Sequence, residues 1–406
     1  MLRSRFLPLL LIYSTLLASC SGSSTTTSAD SMSAAAQLGQ LIFKDPSLSA
    51  TGAMSCQTCH DPSIGHASPF AEAVVSVGLL PSQKGLRTPP AINYLKFNGA
   101  FKFDTDGTPM GGFFWDGRTN SLAEQAKGPF LSSAEMANTD AAAVIAKLKN
   151  ATYAEQFKQV FGANIFNDPN TAFDRVAYAL ERYQIEDPDF APFSSKFDAV
   201  MQGQEVFTPE ELRGFAWFNG AEKGNCAACH PSTKPDNAPA ALFTDFSYDS
   251  LGVPRNPTIA ANSDPNFYDK GLCGPVRTDL SLRTDLCGAF KVPSLRNVAK
   301  RKRFFHNGQF TTLEDVVDFY ITRDNNPNPT AWYPLDPLNV LAYNDLPALE
   351  RGNVNVTEGP YNRTGQPPAL NTDERRDLIA FLRTLSDRDS EHKKAVSIGL
   401  IETNNH

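Results

Sequence analysis

Two segments of the chain carry apolar residues at helical spacing, and each precedes a pair of cysteines. In residues 38–43 and 212–218, apolar side chains three or four positions apart share one face of a helix. Each segment also contains a glycine, Gly39 in the first and Gly214 in the second. We therefore predict two related helices, each leading into a cysteine-containing loop.

A third helical pattern lies near the end of the chain. Polar residues 372–376 open it, and the apolar residues that would face inward are Leu378, Ile379, Phe381, Leu382 and Leu385. The sequence also has 29 prolines and 26 glycines, so much of the remaining chain must form loops.

The N-terminus has the pattern of an export signal. Basic residues precede an apolar run over residues 6–17, and small residues stand before Cys20. The run is shorter than the roughly 20 residues that a membrane-spanning helix needs. Residues 17–20 resemble the lipobox of bacterial lipoproteins, and an ordinary cleaved signal is the alternative. We interpret residues 1–20 as a lipoprotein signal peptide and residues 21–35, rich in Ser, Thr and Ala, as a flexible tether.

Charge and hydropathy limit the partners. The formal net charge of -7 and the pI near 5.5 argue against nucleic acid as the main partner. No later apolar stretch is long enough to span a membrane, so we expect a lipid anchor to be the only membrane attachment. The expected location is the periplasm, with the anchor in the outer membrane.

Two cysteine pairs have the spacing of haem attachment sites. Cys56, Cys59 and His60 form one C-x-x-C-H motif, and Cys226, Cys229 and His230 form another. In such a motif the thiols attach to the haem vinyl groups and the histidine binds the iron. A redox dithiol or half a zinc site is the alternative, but two copies in an exported chain favour two covalently bound haem c groups. We call these motifs the first and second haem sites.

The other three of the seven cysteines have separate roles. Cys20 is the predicted site of lipid attachment. Cys273 and Cys287 stand in a chain expected in an oxidising compartment, where disulfides persist, so we predict a bridge between them. A buried pair of free thiols is the alternative.

The two haem sites and their preceding helices indicate a duplicated cytochrome c-like unit. We predict a mainly α fold with extensive loops, in which residues 36–195 surround the first haem and residues 196–392 the second. The boundary falls near residues 187–204, where prolines interrupt the helical patterns. Residues 393–406 are interpreted as a tail.

From about residue 36 to residue 390 the chain resembles the bacterial di-haem cytochrome c peroxidases and their relative MauG. The blocks that carry the resemblance are residues 55–62, 114–118, 124–129, 135–136, 290–297, 305–308 and 318–320. Their order and spacing cover nearly all of the chain beyond the tether. The resemblance implies reduction of hydrogen peroxide at the first haem, with electrons relayed through the second haem from a small donor protein such as a c-type cytochrome.

The resemblance also assigns catalytic roles. Glu135 matches the carboxylate that moves a proton during cleavage of the peroxide O–O bond, and Gln125 matches the residue beside it. Trp115 matches the tryptophan between the haems. Taken alone, Glu135 and Gln125 could be solvated helix residues and Trp115 a core aromatic, but the spacing of ten residues between each pair follows the family.

The sixth ligand of the first haem is left open by the sequence. Many family members close this position with a loop histidine, for which His66 is the candidate nearest to His60. His66 follows His60 by six residues, a distance of at most about 20 Å when fully extended, which barely rounds a haem edge. We therefore favour His66 as a loop or pocket histidine and expect an open iron site resembling that of MauG.

The sixth ligand of the second haem is predicted from composition and resemblance together. No methionine follows Met201, so residues 202–406 cannot supply the methionine of ordinary family peroxidases. The histidines and tyrosines left as candidates include His306, His392, His406 and Tyr320. Tyr320 stands where MauG has a ligand tyrosine, so we predict Tyr320 as the iron ligand, with a core aromatic as the alternative.

The resemblance does not decide whether the protein binds a calcium ion between the haems. The family often binds calcium between the haems through an asparagine side chain and backbone carbonyls. Here Thr88 takes the asparagine position, and residues 301–303, Arg-Lys-Arg, replace a Thr-x-Pro stretch. Added positive charge disfavours a nearby cation. The basic run over residues 300–303 is interpreted as a solvated face or a docking patch for an acidic partner.

Two functions other than a peroxidase stay open. One is a MauG-like enzyme that uses peroxide to oxidise residues of a partner protein. In MauG this route uses a tryptophan where Gly224 stands here, which makes the same docking route doubtful. The other is an electron-transfer cytochrome without catalysis, against which Glu135 and Gln125 argue. The sequence does not indicate the donor, the protein substrate or the oligomeric state.

Overall fold

Helices and long connecting loops form most of the structure. The computed structural model describes residues 32–71, 84–324, 332–334 and 342–388. The helices are α1 Ala34–Lys44, α2 Cys56–Cys59, α3 Leu122–Leu131, α4 Ala141–Leu148, α5 Ala154–Phe161, α6 Pro169–Glu186, α7 Lys196–Met201, α8 Pro209–Asn219, α9 Leu313–Thr322 and α10 Thr372–Arg383. The strands are β1 Lys102–Phe103, β2 Pro109–Met110, β3 Tyr248–Asp249 and β4 Phe290–Lys291. They form two antiparallel pairs, β1 with β2 and β3 with β4. The predicted mainly α fold is confirmed.

Helix α1 packs on α6 and places the first haem site against the N-terminal core. The helix begins after Ser33, whose Oγ accepts a hydrogen bond from the amide of Ala36 at 3.2 Å. Gly39 lies at the crossing, where a Cβ atom would meet the carbonyl carbon of Ala179 at 2.6 Å and the Cβ of Tyr183 at 2.7 Å. The helices approach this closely only because residue 39 has no side chain.

Helix α8 packs on α10 in the same manner beside the second haem site. A capping box between Thr208 and Glu211 starts α8. At Gly214 a Cβ atom would lie 2.6 Å from the carbonyl carbon of Asp377 and 2.8 Å from the Cβ of Phe381. The two predicted helices are confirmed as the same crossing repeated.

The predicted C-terminal helix is confirmed as α10. Its residues Leu378, Ile379, Phe381 and Leu382 are buried, and Leu385 is buried just beyond its end. The apolar pattern of α8 is less complete, since Leu212 is 57% exposed while Gly214 and Phe218 are buried. The spacing identified the helix correctly but assigned one solvent-facing residue to its buried face.

Each half of the chain has its own main apolar core. One is built from buried residues between Leu38 and Phe190, and the other from residues between Phe197 and Leu385. The Tyr94 hydroxyl joins the halves by donating to both oxygens of Asp387 at 2.8 Å. In the described part of the chain, no helix is both long and apolar enough to cross a membrane.

The predicted disulfide is confirmed. Cys273 and Cys287 are bonded to each other, with their Cα atoms 5.0 Å apart. The predictions for the signal peptide, Cys20 and most of the tether concern positions outside the described residues, as do those for His392, His406 and the tail.

Candidate functional site

The second haem site consists of a short 3-10 turn followed by His230, whose ring is oriented by a hydrogen bond to a backbone carbonyl. The turn covers Cys226–Ala228, and the Nδ1 atom of His230 lies 2.8 Å from the carbonyl oxygen of Phe243. A carbonyl only accepts hydrogen bonds, so Nδ1 carries the proton and Nε2 is left with its lone pair. Burial lowers the pKa of His230, which keeps the ring neutral. This is the form that binds a metal.

A cavity of about 230 Å³ opens in front of these residues. Its walls include Cys226, Cys229, His230, Tyr320 and Tyr361 from the C-terminal half, and Trp115 from the N-terminal half. Burial raises the pKa of each of the two thiols to about 12, so both are uncharged. Two neutral thiols and a neutral imidazole beside an apolar cavity are the donor set that covalent haem attachment needs.

Tyr320 lies on the face of α9 that lines this cavity. Leu313 and Val317, seven and three residues earlier on the helix, line the cavity as well. Burial raises the pKa of the Tyr320 phenol, and the nearby Asp249 carboxylate raises it further. The side chain therefore lines the same cavity as the attachment thiols.

Tyr361 supports Tyr320 from a distant loop. The two rings stack with centroids 5.8 Å apart, and a hydrogen bond joins the phenols. The Arg323 guanidinium lies 4.0 Å from the centre of the Tyr361 ring. The tyrosine pair is thus fixed by packing on both sides.

The first haem site repeats the supported histidine. Cys56 and Cys59 begin and end α2, and the Nδ1 atom of His60 lies 3.3 Å from the backbone oxygen of His66. Burial lowers the pKa of His60 to about 4, so this ring is also neutral. Both sites therefore present a neutral histidine whose far nitrogen bonds a backbone carbonyl.

The imidazole of His66 packs into the apolar core. The ring stacks on Phe190 with centroids 4.0 Å apart and meets the edge of Phe43 at 6.3 Å. His66 is 1% exposed, and burial lowers its pKa to about 3. Its carbonyl orients His60 while its ring packs on Phe190, an arrangement that supports the pocket-histidine interpretation.

Glu135 borders the first haem site. Its side chain is half-buried, and burial raises the pKa of its carboxyl, while a hydrogen bond from Ser132 and the charge of Arg118 oppose the shift. Burial and the Glu135 charge together raise the pKa of the Cys59 thiol to about 12. The same carboxylate contributes to the raised pKa of Cys56. Glu135 is therefore a carboxyl of raised pKa beside the attachment pair.

Arg118 and helix α3, which carries Gln125, both pack against Phe114. The Arg118 guanidinium is 3.5 Å from the centre of the Phe114 ring and pairs with Asp116 at 2.8 Å. The tip of the ring contacts α3, where a Cβ at Gly128 would meet the Phe114 Cζ atom at 3.0 Å. Gln125 is half-buried on α3. Among the described residues, no hydrogen bond joins its side chain to Glu135.

Trp115 lies in one of two similar turns that meet at Thr88. Bridges between Phe113 and Thr119 and between Phe304 and Phe310 close the turns, which contain Trp115 and His306 at equivalent places. The indole Nε1 of Trp115 donates to the Thr88 oxygen at 2.8 Å. The amide of Thr88 donates to the His306 oxygen at 2.7 Å. One residue thereby fixes both turns in the cavity wall.

Arg87 anchors this junction. Its guanidinium bonds both oxygens of Asp269, at 2.6 and 2.7 Å, and one oxygen of Asp116, at 2.7 Å. The two carboxylates raise the pKa of Arg87 despite its burial. Because Arg87 is fixed by these ion pairs, its neighbour Thr88 is held next to Trp115. Arg87 itself does not line the cavity.

Arg118, Lys291 and Tyr361 have no role predicted from the sequence. Burial lowers the pKa of Lys291 to about 7, and its ammonium lies 4.4 Å from the centre of the Tyr248 ring. Arg118 and Lys291 stand inside matching sequence blocks, which was the available signal. Tyr361 stands in a loop 41 residues after Tyr320, and its sequence gives no signal.

The interpretation of the basic run as a solvated face or docking patch is wrong for Arg301. Lys302 is exposed, but Arg301 lines the cavity at the second haem site. Residue 301 directly follows a 3-10 turn over Val298–Lys300, and its side chain is half-buried.

Known proteins share this sequence and fold. A family model described as di-haem cytochrome c peroxidase matches residues 33–206. Methylamine utilization protein MauG of Paracoccus denitrificans is 38% identical over 365 residues, which are 88% of this chain and 90% of that protein. Cytochrome c551 peroxidase of Nitrosomonas europaea is 31% identical over 284 residues, 70% of this chain and 71% of that protein.

A solved structure agrees with the same assignment. The crystal structure of the diheme peroxidase BthA from Burkholderia thailandensis matches with a TM-score of 0.81 and 38% identity, over 91% of this chain and 88% of that chain. The family implies two c-type haems, and the two cysteine–histidine sets described above suit them. The chain therefore belongs to the di-haem cytochrome c peroxidase family that includes MauG, a family of peroxidase-type oxidoreductases.

Proposed function

We propose that this protein reduces hydrogen peroxide, with Glu135 moving the proton and Trp115 relaying electrons between the two haem sites. The observation that carries the proposal is the raised pKa of the Glu135 carboxyl beside Cys56 and Cys59. When bound, the haem iron supplies the electron chemistry of O–O cleavage. The protein supplies the proton movement and the positioning.

Glu135 suits a proton shuttle because burial raises the pKa of its carboxyl, which makes it a better proton acceptor than an exposed carboxylate. Reduction of hydrogen peroxide to two waters consumes two electrons and two protons. The ionised carboxylate takes a proton from one peroxide oxygen and returns it to the other, which leaves as water. Burial raises the pKa of Glu135, while a hydrogen bond from Ser132 and the charge of Arg118 oppose the rise. The half-buried amide of Gln125 is proposed to orient peroxide.

Trp115 suits an electron relay because it belongs to one half of the molecule and lines the cavity of the other. The indole is 7% exposed and its N–H bonds the oxygen of Thr88. A fixed, buried aromatic side chain gives an electron a defined position between the halves. We propose that the electrons come from a small donor protein such as a c-type cytochrome.

The proposed location is the periplasm, with a lipid on Cys20 holding the protein at the outer membrane. The support is the small-residue segment before Cys20 and the polar residues that follow. The net charge of -7 supports a protein partner and no nucleic acid.

A second candidate function is oxidation of residues on a partner protein, as in a MauG-like enzyme. The observation that favours it is Tyr320, which lines the same cavity as Cys226, Cys229 and His230. A phenolate ligand stabilises oxidised iron and lowers its potential. Such a site suits storage of an oxidising equivalent more than acceptance of electrons. Rapid oxidation of reduced cytochrome c by peroxide favours the first candidate, and a covalently altered partner favours the second.

Replacement of Glu135 tests the proton shuttle. Glu135→Gln keeps the shape but cannot accept a proton, so we expect peroxide reactivity to fall roughly 100- to 10,000-fold. Stopped-flow mixing of the holoprotein with peroxide measures the rate, and the absorption spectrum verifies both haems. Glu155→Gln is the matched control, because Glu155 has a side chain 79% exposed on α5.

The pH profile gives an independent readout. The shuttle requires ionised Glu135 to accept the first proton, so the wild-type rate should fall as pH drops through its raised pKa. The acid limb should be absent from Glu135→Gln and present in Glu155→Gln. An unchanged rate and the same acid limb in Glu135→Gln would show that Glu135 is a bystander.

A further inference from the structure

Arg301 is a half-buried cation that lines one haem site and acts electrostatically on the other. Its side chain lines the cavity that contains His230 and Tyr320. Its charge also contributes to lowering the pKa of His60 at the first site. Burial lowers the pKa of Arg301 to about 10, which leaves the guanidinium charged at neutral pH. One positive charge therefore faces both sites.

The protein provides this charge with little compensation. The Nε atom of Arg301 donates to the backbone oxygen of Arg303 at 3.3 Å. Within the described ranges, no carboxylate forms an ion pair with Arg301. Other buried arginines have carboxylate partners, Arg87 with Asp116 and Asp269, Arg296 with Asp198, and Arg323 with Asp324.

A half-buried guanidinium without a counterion is costly, because its charge has lost part of its hydration without gaining a carboxylate partner. The cavity that it faces is the one suited to haem, and haem carries two carboxylates. A carboxylate is the anion that guanidinium binds best, through two parallel N–H···O bonds. The missing counterion can therefore come from the cofactor.

The same residues do not fit the calcium ion that the family resemblance left open. The Arg303 carbonyl belongs to the replaced stretch and already accepts a bond from Arg301. At residue 88 a threonine replaces asparagine, and its backbone N–H and oxygen bond His306 and Trp115. Calcium needs six to eight oxygen ligands and is repelled by an adjacent guanidinium.

We propose that Arg301 takes the place of the inter-haem calcium ion and binds a haem carboxylate. The inference requires the bound haems but does not depend on whether the protein is a peroxidase or a MauG-like enzyme. Arg301 is thus a positioning residue that also sets the charge between the haems. Loss of that charge stabilises the ferric state of the nearby haem.

The experiment compares calcium content and reduction potential in the holoprotein. Wild-type protein washed with EGTA and then exposed to calcium chloride should retain less than about 0.1 calcium per chain by mass spectrometry, with unchanged haem spectra. In Arg301→Gln the equilibrium between ferric and ferrous haem should shift about tenfold towards the ferric form. This corresponds to a midpoint potential lower by about 59 mV for one electron. Lys302→Gln removes an exposed neighbouring charge and should leave both potentials unchanged.

Arg301→Lys keeps the charge but loses the paired hydrogen bonds, so it should restore most of the potential. One calcium ion per chain, whose removal alters the haem spectra, would overturn the proposal. So would equal potentials in Arg301→Gln and Lys302→Gln. If Arg301→Gln does not retain its haems, the proposal is tested by the calcium content of the wild-type protein and by the haem potentials of Arg301→Lys. Peroxide turnover is measured separately, so loss of activity alone does not bear on Arg301.

Discussion

Substitution of Gly214 by alanine tests whether a helix crossing supports the second haem site. The new Cβ atom would lie 2.6 Å from the carbonyl carbon of Asp377, in the backbone of α10. Carbon atoms pack at about 3.5 Å or more, so α8 and α10 must separate by about 1 Å. Backbone cannot rotate away as a flexible side chain can.

Two opposing effects determine the size of the change. Overpacking costs up to about 3 kcal/mol, and the rigid neighbour places this site at the upper end. Alanine gains roughly 1 kcal/mol over glycine in a helix interior. We therefore expect a net loss of about 2 kcal/mol in the free energy of unfolding. For a unit of this size the melting temperature should fall by about 4 to 8 °C.

Thermal unfolding followed by haem absorption measures this effect. Gly352→Ala is the matched control, because that glycine is exposed in a 3-10 turn and a Cβ atom added to it would have no neighbour within 4 Å. It should be neutral or stabilise the protein by less than about 1 kcal/mol. Gly39→Ala should resemble Gly214→Ala but perturb the first haem spectrum. If Gly214→Ala has the same melting temperature as Gly352→Ala and the wild type, the close crossing of α8 and α10 does not support the second haem site.

Three other predictions concern single side chains. Tyr320→Phe should change the spectrum of the second haem and raise its potential while leaving the first haem intact, and an unaltered spectrum would refute ligation by Tyr320. Asp198→Asn should cost about 3 to 5 kcal/mol in urea unfolding, since it breaks a pair with Arg296 in which both side chains are at most 1% exposed. The first haem should be ferric high-spin by electron paramagnetic resonance in the wild type and in His66→Ala; a low-spin signal lost in that variant would show that His66 binds iron.

The repeated parts of the fold could be predicted from sequence because their signals are local. Apolar spacing identifies α1, α8 and α10, since residues three and four apart share a helix face. The distance between thiols and histidine in each C-x-x-C-H motif is likewise set by a few neighbouring residues. The spacing of Cys273 and Cys287 permitted a disulfide, and the structure contains it.

Contacts between distant segments could not be predicted in the same way. The carbonyl behind His60 comes from His66 and the one behind His230 from Phe243, although both histidines stand in identical motifs. The pairing of Tyr320 with Tyr361 joins a helix to a loop. These contacts depend on how long loops return to the core, and no residue pattern near either partner encodes that path.

Arg301 shows the difference most clearly. In the sequence it is one of four consecutive basic residues, for which a solvated face is the usual outcome. In the structure the Arg301 side chain lines the cavity of the second haem site, while the side chain of Lys302 is exposed to solvent. The sequence alone determines the attachment chemistry, because covalent spacing is local. Tertiary structure determines which charges meet the haems, because burial depends on the path of the whole chain.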